Sequence, residues 1–157
     1  IPLQAPARSV KSLAAFKGKL TAVLLGKIES FEFDNIDKAK SAELERGGVT
    51  VIVESCRKNG DIYQVNMRVR FDRAGNALDS HRGWIYDNEC YMIDAKGRRI
   101  NDAGQADATL LAANEVGIAQ NFNLEGGTPA NCKFVYKTPA AIIRIPVEFE
   151  IKAIDLP

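Results

Sequence analysis

The sequence predicts an all-β domain, an antiparallel two-sheet sandwich. Two stretches of strict alternation carry that expectation, and regular turn signals between them support it. In the first, Tyr63, Val65, Met67, Val69 and Phe71 are separated by Gln64, Asn66, Arg68 and Arg70, a period of two with one apolar and one polar face. In the second, Ile143, Ile145, Val147, Phe149 and Ile151 alternate with Arg144, Pro146, Glu148, Glu150 and Lys152. A helix would scatter either set around its circumference. One-sided strands of this kind belong to antiparallel sheets with one wetted face.

The elements follow in order. Residues 1–16 begin Ile-Pro-Leu-Gln-Ala-Pro-Ala-Arg and read as a linker-like arm, held extended by two prolines. Residues 17–157 read as a single β domain. The opening residue is Ile1, not Met, and the expectation is a module from a longer chain. Strands are expected over Leu20 to Phe33 with a break near Gly26, then Val49 to Cys56 and Tyr63 to Phe71. Further strands are expected at Trp84 to Asp94, Ala108 to Ala113, Val116 to Leu124, Cys132 to Lys137 and Ile143 to Ile151. Turn residues punctuate them at Arg57 to Gly60, Asp72 to Asn76, Ala95 to Gly97 and Glu125 to Pro129. At most one short helix is expected, near residues 37–46, where Asp37 can serve as N-cap and Gly47 stands just past the end, and a polar loop fits the same stretch equally well. Pro146 cannot donate a ladder hydrogen bond, which assigns the last strand to a sheet edge or turns its proline outward.

The hairpin at Asn59-Gly60 allows two registers. A two-residue turn centred on Asn-Gly would place Glu54 and Thr50 on the apolar side and turn Val51 and Val53 to water. A three-residue loop, Lys58-Asn59-Gly60, sets Val53 opposite Val65, Val51 opposite Met67 and Val49 opposite Val69. Burial of one continuous apolar face favours the second, because a one-residue slip turns every side chain over.

Composition bounds the function. The 157 residues are 46% apolar and 26% charged, as in ordinary globular domains. Twenty-one basic residues stand against 20 acidic ones, with the signs interspersed. No basic stripe exists for phosphate contacts, so no nucleic-acid partner is expected. No apolar run approaches the length of a membrane-spanning helix. Cys56, Cys90 and Cys132 form no C-x-x-C pair. They read as buried small hydrophobes or as one disulfide with a thiol left over.

The chemically densest stretch is Leu78 to Glu89, which contains the only histidine and the only tryptophan. Trp84 and Tyr86 suit a stacking platform, with His81 and Arg82 as polar flanks, in the manner of sites for sugars and peptides. Against this stands the plainer reading that Trp84 fills the core and His81 and Arg82 lie on a solvated loop. Ser80 beside His81 makes a poor catalytic pair, because adjacent strand residues point to opposite faces. No catalytic residues, no metal site and no cofactor are expected. A lone histidine excludes multi-imidazole sites, and the Asp-rich loops lack calcium-loop spacing.

Gly47-Gly48-Val49-Thr50-Val51, Asn59 to Val65 and Ile93 to Arg98 together resemble exported bacterial immunoglobulin-like domains of unknown function, over roughly Val49 to Leu124. The resemblance implies an immunoglobulin-like sandwich and an extracytoplasmic location, periplasmic or secreted, and it carries no catalytic residues. The function expected is that of a non-enzymatic module of an exported protein, structural or engaged with a protein or cell-envelope partner. The alternative is a small domain that binds a sugar or peptide through His81, Arg82, Trp84 and Tyr86.

Overall fold

In a computed structural model the chain is all-β, with every strand pairing antiparallel. The structure describes residues 6–72, 84–140 and 142–156. Its ten strands are β1 (Ser12–Leu25), β2 (Ile28–Phe33), β3 (Ala42–Arg46), β4 (Val49–Asn59), β5 (Ile62–Phe71), β6 (Cys90–Ile93), β7 (Arg99–Leu111), β8 (Glu115–Phe122), β9 (Lys133–Pro139) and β10 (Ile142–Asp155). They form two compact units, one made by β1 with β10 and the other by Leu25–Ile142.

In the larger unit eight strands lie in the order β2-β9-β6-β7-β8-β5-β4-β3. The outer strands β2 and β3 come into contact with each other, so the sheet curls almost into a barrel. The alternation that announces β5 holds. Val65, Met67, Val69 and Phe71 are buried, whereas Gln64, Asn66, Arg68 and Arg70 lie half-exposed on the other face. Arg68 pairs there with Glu54 and Glu115 at 2.8 and 3.1 Å, and Arg70 pairs with Glu43 at 3.1 Å. The interior is filled by Phe31, Val51, Val53, Met67, Ile118, Phe122, Phe134 and Tyr136. Each such side chain contributes on the order of 1.5–3 kcal/mol by leaving water.

The β4–β5 hairpin corrects the expected loop while keeping its consequence. Asn59 pairs with Ile62, so the loop has two residues, Gly60 and Asp61, rather than Lys58-Asn59-Gly60. Gly60 takes φ +61° and Asp61 does not share that sign, the combination of a type II′ turn, in which glycine leads. Continued unbroken, this tight register would set Glu54 against Met67 and turn the valines outward. Instead the ladder skips a residue between Val53 and Ser55. That bulge at Glu54 shifts the pairing by one, so Val53 opposes Met67, Val51 opposes Val69 and Val49 opposes Phe71. All three valines are buried, as expected.

Three segments depart from the sequence reading. The stretch 37–46 is not a helix. A 3₁₀ turn, Ile36–Lys38, buries Ile36, and Ala42–Arg46 then extends as β3. Ala42 pairs with Val53 and Leu44 with Val51, so tertiary pairing decides where two apolar residues are too few to set a period. Trp84 to Asp94 is not one strand. A 3₁₀ turn, Trp84–Asp87, precedes the four-residue β6. Strand β7 starts at Arg99, well before Ala108, because its polar first half is held by ladder bonds to β6 and then β8 rather than by an apolar pattern.

The smaller unit is a two-stranded ribbon of 14-residue strands. Strand β1 begins at Ser12, inside the segment read as an arm. Lys17 pairs with Glu150 at 3.2 Å and Lys19 pairs with Glu148, while the Leu156 N–H donates to the Lys11 carbonyl at 2.9 Å. These contacts fit a single antiparallel register. They place the charges on one face of the ribbon and Phe16, Gly18 and Phe149 on the other. Strand β10 pairs only with β1, so Pro146 stands in an edge strand, as expected.

Candidate functional site

Of the four residues expected to form a site, His81 and Arg82 lie outside the described residues. Trp84 opens the 3₁₀ turn Trp84–Asp87. Tyr86 is half-buried, packs on the core and lines a cavity of about 300 Å³. The cavity lies where this turn meets β6, β7 and β8.

The turn is fixed from below. Asn88 donates through Nδ2 to the Tyr136 hydroxyl at 2.7 Å and to Thr138 Oγ1 at 2.9 Å. The Tyr136 hydroxyl in turn donates to the Ile85 carbonyl at 3.4 Å. Tyr136 is fully buried, and desolvation raises its phenol pKa above the ordinary value.

Three strands supply the inner wall. Cys90 opens β6 and is buried. Asp102 pairs with Phe122 across β7 and β8, which turns it to the same side as the core. Between Asp102 and Ala106 the ladder to β8 breaks, and the looped-out backbone returns a hydrogen bond from Gly104 N–H to Asp102 Oδ1 at 2.8 Å. The Cys90 thiol points to Asp102 Oδ2 at 3.9 Å, a weak S–H contact. Burial pushes the Cys90 thiol up to about 12, and the negative charge of Asp102 adds to the effect.

The third wall residue breaks a pattern. Val116, Ile118, Gln120 and Phe122 alternate on the core face of β8, and Gln120 is the only polar side chain among them. It stands opposite Val65 of β5 and Ala106 of β7. Gln120 is 2% exposed, lines the cavity, and its side-chain amide makes no hydrogen bond to any described residue.

The rim carries charge that is already matched. Arg99 donates through Nε to Asn101 Oδ1 at 2.8 Å and pairs with Glu89 at 2.9 Å, its guanidinium 3.9 Å from the centre of the Tyr91 ring. Lys137 also pairs with Glu89 at 2.9 Å. Hydrogen bonds from Lys137 and Arg99 hold the Glu89 carboxyl below its ordinary pKa. Asp102, by contrast, has no ion-pair partner among the described residues.

Tyr86 therefore joins a polar cavity, but its companions there are Cys90, Asp102 and Gln120, which the sequence reading did not select. Gln120 left a signal in the sequence, as the one amide in an otherwise apolar alternating row. Asp102 and Cys90 left none, because they meet only across the β6–β7 ladder. All three cysteines are free thiols, Cys90 and Cys132 buried and Cys56 half-buried. No group of three or more His, Cys, Asp or Glu side chains suited to a metal ion occurs among the described residues, and no described helix is long and apolar enough to cross a membrane. Comparison with protein-family models, with curated proteins and with solved structures found no match to this chain.

Proposed function

We infer that the chain is a non-enzymatic β module of an exported protein, immunoglobulin-like in kind, and that it works by protein interaction. The observation behind this reading is the apolar face of the β1–β10 ribbon. Given its register, that face carries Phe16, Leu20, Ala22 and Leu24 from β1 and Ile145, Val147, Phe149 and Ile151 from β10. Leu20 is 49% exposed, Val147 38% and Ile151 52%. A contiguous apolar strip of this kind marks an interaction surface.

The ribbon's own chemistry specifies the partner surface. From Phe16 to Leu24 and from Ile145 to Ile151 this face bears no charge, Asp155 standing beyond them at the end of β10, and the Lys17–Glu150 and Lys19–Glu148 pairs on the opposite face satisfy each other. An uncharged, apolar β surface fits it, and the ribbon of a second copy is one. Fourteen-residue strands at about 3.3 Å per residue give a length near 45 Å. Two strands wide, the face offers roughly 450 Å² per copy, which places a pair of ribbons among small, transient interfaces.

Sedimentation velocity of the full chain over a range of concentrations tests this reading. A concentration-dependent dimer that disappears in Leu20→Lys/Val147→Lys supports it. A monomer at every concentration, or a dimer that the double variant leaves intact, overturns it.

A further inference from the structure

The cavity walled by Cys90, Asp102 and Gln120 has a chemistry of its own, independent of the ribbon. Gln120 sits on the interior face of β8 between Ile118 and Phe122, and its side-chain amide lines the cavity with no hydrogen-bond partner among the described residues. A leucine there would complete the apolar row. Interior polar groups are ordinarily hydrogen-bonded, and the space in front of this one, about 300 Å³, exceeds what one or two bridging waters occupy, at roughly 30 Å³ each.

Asp102 adds charge to the same wall. Its carboxylate receives one backbone N–H, from Gly104 at 2.8 Å, and one weak S–H, from Cys90. The nearest guanidinium, that of Arg99, is committed to Glu89, Asn101 and the Tyr91 ring. The cavity thus presents the half-buried carboxylate of Asp102, the exposed carboxylate of Asp87 and the Gln120 amide to a shared space, neither carboxylate having an ion-pair partner among the described residues. Asn88 adds a further acceptor, because its amide nitrogen is taken up by Tyr136 and Thr138 while its Oδ1 makes no hydrogen bond to a described residue.

We propose that this cavity binds a small organic cation, an ammonium or guanidinium group, with Asp102 matching its charge and Gln120 accepting one of its N–H donors. Mouths of barrel-like sheets are frequent places for small ligands, and charge-assisted hydrogen bonds from a polar wall such as this one orient them. A cation with several N–H donors suits a wall that offers mainly acceptors. Burial sets the Cys90 thiol pKa at about 12, so this group stays neutral at ordinary pH and does not compete for the cation.

The test follows the Gln120 side-chain amide of the full chain by NMR during titration with ethylguanidinium chloride, and in parallel with ethylurea, its neutral isostere. The expected result is a saturable shift of that amide with ethylguanidinium and at least tenfold weaker binding of ethylurea. Asp102→Asn, which keeps the shape and the Gly104 hydrogen bond, should weaken ethylguanidinium binding at least tenfold. Gln120→Leu, followed through neighbouring amides, should weaken it as well and serves if Asp102→Asn fails to fold. No saturable shift, equal response to ethylurea, or unchanged binding in the variants that fold would each overturn the proposal, leaving a cavity filled by water alone.

Discussion

The ring of Phe149 lies over Gly18, and a Cβ placed on that glycine would stand 2.5 Å from the ring's Cζ. Phe149 also leans on Phe16, with centroids 5.6 Å apart, so the missing side chain at Gly18 is what lets both rings settle on the ribbon. Gly18→Ala should push the Phe149 ring aside, although alanine in a strand interior otherwise gains about 0.5–1 kcal/mol over glycine. The expected outcome is a changed Phe149 ring resonance and faster amide exchange along β1. Unchanged ring shifts would contradict the packing.

The tight turn and the bulge in the β4–β5 hairpin are coupled. Glu54 is the unpaired residue of the bulge, so removing it joins Val53 directly to Ser55 and closes the ladder with Val53 still opposite Met67. The deletion should therefore leave the valine face buried and the domain folded. Gly60→Ala tests the turn of the same hairpin and is expected to lose about 1–2 kcal/mol through its left-handed backbone. Loss of the folded state on deleting Glu54, or a urea midpoint unmoved by Gly60→Ala, would contradict the register.

Removing the hydroxyl of Tyr136 leaves Asn88 with one acceptor instead of two and strips the Ile85 carbonyl of its donor. Tyr136→Phe should therefore destabilise the domain by about 1–2 kcal/mol. Wild-type stability in urea denaturation would show that the turn at Trp84–Asp87 is held by other contacts.

Alkaline pH should weaken the fold. Burial raises the thiols of Cys56 and Cys90 from an ordinary 9.0 to about 11 and about 12, and it raises the phenol of Tyr136 as well. In the unfolded chain these thiols lose their protons from about pH 9, while the folded chain keeps them, so the unfolded state binds fewer protons there. The stability is complete below pH 9 and declines as the pH climbs toward the folded values. Urea melts at pH 8 and pH 10.5 should differ, and Cys90→Ala should reduce the difference. Equal midpoints at both pH values would contradict the burial of these groups.

Much of this architecture is legible in the sequence wherever one side of a strand is apolar. Val65 to Phe71 in β5 announces itself, and so does the break before Ile28. Elements held by pairing rather than pattern are not legible. Strand β3 offers only Ala42 and Leu44, and the first half of β7 reads Arg-Ile-Asn-Asp-Ala-Gly. The bulge at Glu54 is hidden for a related reason, since it reconciles a local preference of Gly60 with a distant one of three valines. In the cavity, Gln120 is visible as an exception to alternation. Asp102 and Cys90 become neighbours only when β6 and β7 lie side by side.

The hydrogen bond between Leu156 N–H and the Lys11 carbonyl, at the open end of the β1–β10 ribbon, has a mechanical meaning. Antiparallel strands loaded from the same end part by unzipping, and the cross-strand bonds, which lie perpendicular to the strands, break one after another instead of sharing the force. A pull applied at Lys11 and Leu156 therefore meets the resistance of a single rung at a time. Such a ribbon yields at low tension and lengthens by as much as its strands allow.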